Sequence, residues 1–567
     1  MTGADGTPPP GHGSVFRQRL ASLAVPPGGR RWLFVAYDQL SDAIGPLARE
    51  PARELGVVVV EAPAKASQRP YHQQKLALVL ANLRHFALEQ AARGVAVRHV
   101  VAERGYGEAL RPIAREVGGL RVMEPAEREL RADLAPLIAE GLLEVVPHEG
   151  WCTTREDFAA IGPAPWRMDA FYRHVRRRTG ILMQRGRPMG GKWSLDAENR
   201  RPWRGTPPAP EPPRFTPDEV TEEVARLVQE RFAHHPGRVD ASSLPATRDD
   251  AERLWAWALG ACLPAFGPFE DAMSTASSGL FHTRIAPLLN LHRLLPRRVV
   301  DDVVASGAPL SSVEGFVRQV IGWREYVRHV HHATDGFRAM PGAAPPPVLD
   351  APGDGGWAGW RGEPWRRVSL ATAGGADPSY LDARDDVPPA LWGAPSGLAC
   401  LDHVVGDVWR EAWGHHITRL MVVANLMTLL GVSPRALTDW FWVAYADAYD
   451  WVVEPNVLAM GTYGVGPLAT TKPYVSGAAY IDKMSDYCRT CRFHPKRDCP
   501  VTPLYWDFLA RNEATLGGNP RMLVPVTALR KRAPARRAAD AAIASRVRAS
   551  LAAGRAVTPD DLAEVRG

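Results

Sequence analysis

Apolar runs and helical spacings alternate along the first part of the chain. Four apolar runs have the length of strands buried on both faces, at residues 31–37, 57–60, 95–101 and 143–146. Between the second and third runs, apolar residues recur at helical spacing: Leu76, Leu80, Leu83 and Ala87. Strands that alternate with helices are typical of an α/β domain on a parallel sheet, which we expect over residues 30–150. No Gly-x-Gly-x-x-Gly sequence occurs there, so a dinucleotide bound in the usual crevice is not indicated.

The pattern becomes helical in the second half of the chain. Apolar residues recur there at spacings of three and four, as at Ile417, Leu420, Met421 and Ala424. We therefore expect a large all-α domain over residues 246–525, with an insertion rich in Gly, Pro and Trp at about 341–396.

Two further segments lack a strong pattern. Residues 151–245 are rich in Arg near 167–187 and in Pro at 202–213, which predicts a long interdomain linker. Residues 526–567 are rich in Ala and Arg, and we expect them to form a loose basic tail.

Composition narrows the setting without fixing the function. The chain has 567 residues, of which 46% are hydrophobic, enough for two or three domains. A net charge of +6 is compatible with a nucleic-acid partner, although a genome bias toward Arg would give the same excess. No run of 18 uncharged apolar residues appears, so we expect no membrane span. With six cysteines and no leader-like N-terminus, a cytoplasmic protein is expected.

Cysteines cluster near the C-terminus. Cys488 and Cys491 form a C-x2-C pair, Cys499 follows, and Cys400 lies upstream. Thiolates are soft ligands that bind zinc or iron–sulfur clusters. The three clustered cysteines with Cys400 or His494 fit structural zinc, and all four cysteines fit an iron–sulfur cluster. Spacing alone leaves these two alternatives about equal, with unliganded thiols as a third.

Several separated motifs resemble one protein family. The helical half contains W-G-H-H-I-T-R-L-M at 413–421, D-A-Y-D-W-V-V-E-P-N at 447–456, T-K-P-Y-V-S-G at 471–477 and Y-W-D-F at 505–508. Upstream lie D-Q-L-S at 38–41, Y-H-Q-Q-K-L at 71–76, G-G-K-W-S-L-D-A-E-N-R at 190–200, F-H-T-R-I-A-P at 281–287 and G-W-R-E-Y at 322–326. Over roughly residues 30–525, this series resembles the iron–sulfur bacterial cryptochromes and photolyases, a group that includes the prokaryotic (6-4) photolyases.

The resemblance implies an architecture and a reaction. It implies a Rossmann-like α/β antenna domain, a linker and an all-α domain that holds FAD. Excited, reduced FAD would pass an electron to a (6-4) pyrimidine–pyrimidone photoproduct in UV-damaged DNA, and the electron would return after repair. The resemblance also implies a monomer with a lumazine antenna (6,7-dimethyl-8-ribityllumazine), and a [4Fe-4S] cluster on Cys400, Cys488, Cys491 and Cys499. A blue-light photoreceptor on the same scaffold is the alternative, and a zinc-stabilised nucleic-acid-binding protein without flavin is a third possibility.

The same resemblance nominates residues for the lesion site. His415 and His416 match the histidine pair that supplies a proton in (6-4) repair, a task suited to imidazole near neutral pH. Neighbours on a helix diverge by about 100°, so only one of the two can point squarely at a substrate. Tyr474 resembles a tyrosine close to the lesion, where a phenol can stack on a flipped base. Phosphate contacts are expected from four cations: Lys472, Lys483, Arg489 and Arg492.

Ten residues match flavin-binding positions of the family. Arg419 and Asp447 would flank the ring system, where a cation stabilises the anionic reduced flavin. Glu454 or Asn456 would approach flavin N5, although the Glu454-Pro455 sequence is shifted by one from the usual pattern. The remaining expected contacts are the phosphate-binding turn with His282, Thr283 and Ile285, the guanidinium of Arg324, and the pocket residues Gln319 and Trp323.

Two further sets follow from the resemblance. Trp392, Trp440 and Phe441 fall where relatives place an aromatic chain for flavin photoreduction. Relatives commonly have Tyr at the last position, and phenylalanine is hard to oxidise, so we expect that the electron either skips Phe441 or passes through Trp442 or Trp451 instead. Asp38 and Glu61 lie at the ends of predicted strands, where α/β sheets bind ligands, and are the antenna candidates, with His72 or Lys75 as possible additions.

Overall fold

A computed structural model describes residues 13–349 and 375–566 of the chain. Part of the insertion predicted at 341–396 therefore lies outside the described residues. No helix in the described ranges is long and apolar enough to cross a membrane.

A five-stranded parallel sheet forms the N-terminal half. Its strands are β1 (Arg31–Phe34), β2 (Leu55–Glu61), β3 (Ala96–Val101), β4 (Leu120–Met123) and β5 (Leu143–Val146), in the order β3-β2-β1-β4-β5. All neighbouring strands are parallel, and every residue of β2 is buried. The predicted α/β domain is confirmed, and β4 is an additional strand that the apolar runs did not reveal. Because β1 has β2 on one side and β4 on the other, the strand order reverses at the carboxyl end of β1.

Helices pack around this sheet. Their bounds are Val15–Ser22, Gly45–Arg49, Pro63–Ala66, Gln73–Ala92, Tyr106–Val117 and Arg128–Ala139, with a 3₁₀ turn at Ala52–Glu54. The long helix Gln73–Ala92 also contacts the helical half, since Lys75 Nζ donates to the carbonyl oxygens of Trp442 (2.7 Å) and Ala448 (2.5 Å). The two halves thus share a buried polar contact.

The predicted linker is a structured connection. It contains the helices Arg155–Ala159, Met168–Thr179 and Glu219–Arg231, and a short hairpin of Met183–Gln184 and Arg187–Pro188; 3₁₀ turns lie at Met189–Gly191, Asp196–Glu198 and Ala241–Ser243. Glu219–Arg231 packs on Gln73–Ala92, where Arg84 donates to Glu223 at 2.7 Å. Part of the linker therefore completes the α/β half.

The second half is almost entirely helical within the described residues. Its α-helices are Arg248–Trp257, Leu263–Phe266, Ala286–Asn290, Pro296–Ala305, Leu310–Val317, Glu325–Ala333, Ala399–Glu411, Asn425–Leu430, Pro434–Ala444, Asp450–Val453, Ala478–Met484, Val501–Arg511, Glu513–Leu516, Leu523–Arg530, Pro534–Ala552 and Pro559–Arg566. Short 3₁₀ turns lie at Pro389–Trp392, Gly466–Leu468, Tyr487–Arg489 and Pro520–Met522. The all-α expectation is confirmed.

Four π-helical segments interrupt these helices, at Ala258–Cys262, Arg318–Arg324, Thr418–Ala424 and Glu454–Gly461. Such segments are rare and often mark functional sites. Three of the four carry residues that the resemblance nominates for flavin binding.

The loose tail expected at 526–567 is wrong. The helix Pro534–Ala552 packs on Val501–Arg511 and buries Ile543, Val547 and Leu551 in the core of the C-terminal half. These three apolar residues recur every four positions, which makes one buried seam on a helix whose other faces carry Ala and Arg.

Candidate functional site

Three histidines form a compact cluster in the helical half. Their ring nitrogens lie within 4.8 Å of one another in the group His282, His415 and His416. The rings of His282 and His415 stack with centroids 4.3 Å apart and planes inclined by 10°, whereas His416 meets His282 edge-on at 5.4 Å. His282 Nε2 lies 3.1 Å from the Glu270 carbonyl oxygen, which can only accept, so Nε2 carries the proton. The predicted histidine pair is thus joined by a third histidine from the phosphate-turn motif.

The three histidines differ in burial, and this difference limits the role of each ring. Burial, together with the neighbouring histidine and arginine charges, holds the pKa of His415 and of His282 well below the usual 6.5, so both rings are neutral at pH 7. His415 Nδ1 is buried and has no hydrogen-bond partner among the described residues. By contrast, 41% of the His416 side chain is exposed. Of the three histidines, only His416 is therefore accessible to solvent.

A carboxylate faces His416. Asp271 Oδ1 lies 3.8 Å from His416 Nε2, and Asp271 Oδ2 accepts from the Tyr480 hydroxyl at 3.3 Å. Arg200 lies 3.7 Å from the same oxygen. Sequence reasoning missed Asp271 and Tyr480, because they lie more than 60 residues from the histidine pair in either direction and belong to no motif that distinguishes them from surface residues. Opposite charge favours the protonated form of an imidazole.

The stacked geometry does not suit a metal ion at this cluster. An imidazole binds a metal through a lone pair in the plane of its ring. Two nearly parallel rings 4.3 Å apart cannot both have one ion in their planes. The arrangement suits proton transfer better than coordination.

Arg419 and Asp447 form a bidentate ion pair close to the histidines. Two guanidinium nitrogens of Arg419 each lie 3.0 Å from a carboxylate oxygen of Asp447, and Arg419 Nε donates to the Gly414 carbonyl at 2.7 Å. The guanidinium carbon also lies 4.1 Å from the centroid of the Tyr445 ring. Because Gly414 directly precedes His415, the pair and the histidine cluster lie side by side.

Hydrogen bonds connect most other nominated flavin residues to this centre. Asn290, at the end of the short helix that begins after Ile285, donates to the Asp447 carbonyl at 2.8 Å and accepts from Arg324 at 3.3 Å. Gln319 donates to the Glu270 carboxylate at 2.5 Å. The half-buried Thr283 and Trp323 lie on the same elements as His282 and Arg324, in the turn before Ala286–Asn290 and in the π-helical segment Arg318–Arg324.

Glu454 is engaged elsewhere, in a buried ionic cluster. One of its carboxylate oxygens lies 2.7 Å from Arg435, and the other lies 2.8 Å from His331. Burial alone would raise its pKa, but the hydrogen bond from His331 and the charge of Arg435 lower the pKa to about 2. Glu454 is therefore engaged with Arg435 and His331, and its approach to flavin N5 stays a prediction. Asn456, whose amide donates to the Val452 carbonyl at 2.8 Å, stays the second nominee for that position.

A row of aromatic rings approaches Arg419. Trp392 stacks on Trp409 with centroids 5.2 Å apart, and Trp409 meets Trp440 edge-on at 5.9 Å. Trp440 in turn contacts Phe441 at 5.2 Å and Tyr445 at 5.9 Å. The three nominated aromatic residues do lie together, but Trp409, which sequence reasoning missed, separates Trp392 from Trp440.

Tyr474 is half-buried on the side of the histidine cluster. Burial raises its pKa, and the charges of Asp196, Arg521 and Arg200 act on it. Arg200 is also the neighbour of Asp271, which places Tyr474 close to the surroundings of His416. Sequence reasoning did not nominate Arg200 individually, although it lies in a family-like motif.

The four clustered cysteines meet at one place in the C-terminal half. Cys400 begins the helix Ala399–Glu411 and is buried, and the other three side chains pack against the same core. Burial and the proximity of Cys499, Cys488 and Cys491 together raise the pKa of the Cys400 thiol well above its usual value. Four sulfurs, two of them from the one C-x2-C segment, thus converge.

The two nominated antenna carboxylates have different surroundings. Glu61 accepts from Arg84 at 2.7 Å and lies 2.9 Å from His99; burial opposes its charge, but these partners hold its pKa at about 2. Asp38 is buried, its Oδ1 has no partner among the described residues, and burial raises its pKa to about 6. Glu61 is a structural ion-pair member, whereas Asp38 retains unused hydrogen-bonding capacity.

Asp38 lies beside other polar side chains at the strand-order reversal. Lys65 and Tyr37 both donate to Glu127, which follows β4. The charges of Lys65 and Asp450 act on Asp38. Crevices at such reversals are the usual ligand sites of parallel sheets. His72 and Lys75 contact the helical half instead, through the carbonyls of Trp409 and Trp442.

Comparison with known proteins decides the family. The chain is 32% identical over 513 residues to a (6-4) photolyase of Agrobacterium fabrum, covering 87% of this chain and 94% of that protein. This chain belongs to the photolyase family. Residues 33–244 also match the family model described as deoxyribodipyrimidine photo-lyase-related protein. The resemblance drawn from the sequence motifs is thereby confirmed.

Two further proteins are similar to this chain in structure or in part of the sequence. The structure is similar to that of a bacterial class III photolyase from Agrobacterium tumefaciens, with a TM-score of 0.50 and 15% identity, covering 90% of this chain and 100% of that chain. At this identity the likeness concerns the fold alone. An uncharacterized protein of Acanthamoeba polyphaga mimivirus, R855, is 34% identical over 92 residues, which is 16% of this chain and 72% of that protein.

Proposed function

We propose that this photolyase family member repairs (6-4) pyrimidine–pyrimidone photoproducts in UV-damaged DNA in a light-driven reaction. The observation that carries the proposal is the histidine cluster: one half-exposed imidazole with a carboxylate partner, beside two buried neutral imidazoles. The named activity of the Agrobacterium relative supports the same substrate. Rearrangement of a (6-4) lesion needs a proton donor, and a histidine exposed at a pocket can supply it.

Within the cluster, His416 is the proton donor. Its Nε2 faces Asp271 and its side chain is 41% exposed, so it can be reprotonated from solvent. His415, held neutral by burial, orients the lesion by hydrogen bonding through the unused Nδ1. Tyr480 and Arg200 hold Asp271 in place.

The residues around Arg419 fit a flavin. The Arg419–Asp447 pair provides a partly buried cation, and Tyr445 and His415 each have a buried polar atom without a partner among the described residues. FAD, when bound, supplies the photon-driven electron. Arg419 would stabilise negative charge on the reduced ring system, and Arg324, His282, Thr283 and Ile285 would hold the phosphates. Gln319, Trp323 and Asn456 would line the pocket.

The cysteine set fits a [4Fe-4S] cluster better than zinc. A tetrahedral zinc ion with bonds of about 2.3 Å holds its sulfurs about 3.8 Å apart. No three of the four sulfurs approach within 4.8 Å of one another, and all four are within the described residues. A cubane holds its thiolates further apart, because each binds a different iron. We expect Cys400→Ser to lose most of the bound iron, whereas Cys262→Ser, at a buried cysteine far from this set in sequence, keeps it.

Asp38 and its neighbours fit a neutral, hydrogen-bonding chromophore. The raised pKa of Asp38 and of Glu127, both due mainly to burial, disfavours charge in this pocket. A lumazine antenna, which combines a ring system with a ribityl chain, would use such donors and acceptors. Asp38 is the nominated contact.

DNA would approach on the side of the cysteine cluster. Arg489 and Arg492 are exposed on the turns that carry the cysteines, and the exposed Lys483 lies in the last turn of the preceding helix, Ala478–Met484. These cations offer phosphate contacts without base readout, so binding should weaken steeply with salt. Lys472, which is half-buried, is the fourth nominee.

The experiment compares two lesions. Reduced, flavin-loaded protein is illuminated with oligonucleotides that carry either a (6-4) photoproduct or a cyclobutane dimer, with dark samples as controls. We expect the (6-4) oligonucleotide to be restored in the light only. Restoration of the cyclobutane dimer alone would overturn the substrate assignment, and failure on both lesions with flavin bound would favour the photoreceptor alternative.

A further inference from the structure

A loop at residues 271–275 lies beside the segment that leads into the cysteine pair. The loop starts at Asp271, the residue that faces His416. The Met273 N–H in this loop donates to the Met484 carbonyl oxygen at 2.9 Å. Most of the loop belongs to no helix or strand, so contacts of this kind, rather than a backbone ladder, set its position.

Asp486 supplies three further contacts of the loop. Its Oδ1 accepts from the Thr275 N–H at 2.8 Å. Its Oδ2 accepts from the hydroxyls of Ser274 and Thr275, at 2.9 and 3.3 Å. Ser274 is 3% exposed, so its bond to the carboxylate is shielded from water. Because hydrogen bonds to a carboxylate are stronger than those between neutral groups, Asp486 is a firm attachment point for this end of the loop.

The backbone of Asp486 belongs to the cysteine turn. Its carbonyl oxygen accepts from the Arg489 N–H at 3.0 Å, which closes the 3₁₀ turn Tyr487–Arg489 around Cys488. A single residue thus joins the turn that carries Cys488 to the loop that carries Asp271.

The other end of the loop reaches the histidine cluster. Asp271 Oδ1 lies 3.8 Å from His416 Nε2. The preceding residue, Glu270, accepts from His282 Nε2 with its carbonyl oxygen at 3.1 Å. A shift of the loop would therefore move two groups that contact two of the three imidazoles.

We propose that Asp486 is a positioning residue for the histidine cluster: it holds residues 271–275 against the turn of Cys488 and so keeps Asp271 next to His416. The inference rests on the proposed repair function, in which His416 donates the proton. Asp486 acts through Asp271 and not on the lesion itself. The cysteine turn thereby takes part in ordering the lesion site, whichever metal the thiolates bind.

The test measures single-turnover repair of a (6-4) oligonucleotide by chemically reduced protein matched for bound flavin. We expect Asp486→Ala to repair several-fold more slowly, with iron content and affinity for the damaged DNA unchanged. Asp486→Asn should recover most of the rate, because its amide oxygen can accept from the Thr275 N–H and its NH₂ group can donate to the Ser274 hydroxyl. The double variant Asp271→Asn/Asp486→Ala should be no slower than Asp271→Asn alone, since both changes act through one carboxylate.

Hydrogen–deuterium exchange gives a second readout that needs neither light nor DNA. The amide protons of Met273 and Thr275 should exchange at least about tenfold faster in Asp486→Ala than in the wild type, whereas those of the helix Val501–Arg511 should be unchanged. Faster exchange in both places would show a general loss of stability and would contradict a local positioning role.

Two further variants guard against an effect on the cysteine site itself. Asp482 lies four residues before Asp486, and its charge acts on Cys488. Asp482→Ala removes a carboxylate near the cysteines but no contact of the loop, so its repair rate and exchange should match the wild type. If Asp486→Ala loses iron, Ser274→Ala makes the same test from the loop side. It removes one bond to Asp486 with the cysteine turn intact, and repair should slow by about two- to threefold with iron fully bound.

Two results would overturn the inference. One is wild-type repair and exchange in Asp486→Ala, or in Ser274→Ala where that variant is needed. The other is a double variant slower than Asp271→Asn by the full factor of Asp486→Ala. Failure of the wild type to repair would instead refute the proposed function, and exchange would still decide whether Asp486 holds the loop.

Discussion

Asp38, just beyond β1, and His415, in the histidine cluster, respond to burial in opposite ways with one result. At Asp38, burial raises the pKa of an acid to about 6, and at His415 it lowers the pKa of a base. Both shifts favour the neutral form. Both groups also retain a buried polar atom without a partner among the described residues. The two regions thus hold hydrogen-bonding capacity that the fold itself does not use.

Each half of the molecule also contains a buried carboxylate that the fold does use. Glu61 and Glu454 are both buried, but each has a basic partner for its oxygens and a pKa of about 2. Burial alone therefore does not identify a ligand site. Buried groups with a partner of opposite charge belong to structural clusters, whereas buried groups with an unused polar atom mark candidate sites. Substitutions at both kinds of group test this distinction.

The largest loss of stability is expected from disrupting the buried ionic cluster of the helical half. Arg435 is 1% exposed and contacts both Glu454 and Asp439 at 2.7 Å. Arg435→Met leaves Asp439 without its cation and Glu454 with His331 as its remaining close partner, which should lower the free energy of unfolding by about 3–5 kcal/mol. Denaturant titration measures it. The control Arg530→Met removes an exposed partner of Glu513 and should cost at most about 1 kcal/mol. Equal losses in the two variants would contradict the structural role of the cluster.

A smaller, pH-dependent contrast is expected between Asp38 and Glu61. The folded-state pKa of Asp38 is raised from 3.8 to about 6, so its contribution to stability is present below pH 3.8 and is lost as pH rises to about 6. Asp38→Asn should therefore stabilise the protein at pH 7 by on the order of 2 kcal/mol, with no gain at pH 4. Unfolding measurements at the two pH values test this directly.

Glu61 should behave with the opposite sign. Its folded-state pKa is lowered from 4.5 to about 2, so its contribution is present above pH 4.5 and is lost as pH falls to about 2. Glu61→Gln should destabilise the protein at pH 7 by about 2–3 kcal/mol, and the loss should shrink below pH 4. If Glu61→Gln were as stable as the wild type at pH 7, the paired and unpaired distinction would fail in the sheet half.

The smallest effect concerns the proton donor. His416 Nε2 lies 3.8 Å from Asp271 Oδ1, and the rings of His282 and His415 lie next to it. Tyr480 and Arg200 contact Asp271. Asp271→Asn removes the carboxylate that faces His416, so the imidazole is held less firmly. We expect the single-turnover repair rate to fall several-fold, with bound flavin unchanged. An unchanged rate would remove Asp271 from its positioning role, and Tyr480→Phe should give a smaller loss.

Most residues of the candidate site could be nominated from sequence motifs. The residues that were missed contact the site from distant parts of the sequence. The family-like motifs brought His282, His415, Arg419 and Asp447 together, although they span more than 160 residues of sequence. Asp271, Tyr480 and Trp409 were missed because their significance lies in tertiary contacts that no local pattern records. The ionic partners of Glu454 were missed for the same reason, since His331 is 123 residues away.

The fold shows a similar division between local and long-range information. Apolar runs predicted four of the five strands, and the four-residue strand β4, with the half-buried Arg121, was not among them. In the C-terminal helix Pro534–Ala552, abundant Ala and Arg obscured a sparse apolar seam. Burial against a distant helix, rather than local composition, stabilises that segment.

The most direct test of the account compares repair by His416→Ala and His415→Ala with that of the wild type. Each protein is reduced chemically, matched for bound flavin and illuminated with a (6-4) oligonucleotide under single-turnover conditions. We expect the wild type to restore the lesion, His416→Ala to repair at least about 100-fold more slowly, and His415→Ala to bind the damaged DNA more weakly. Repair by His416→Ala at the wild-type rate would contradict the assignment of the proton donor and of the cluster as the lesion site.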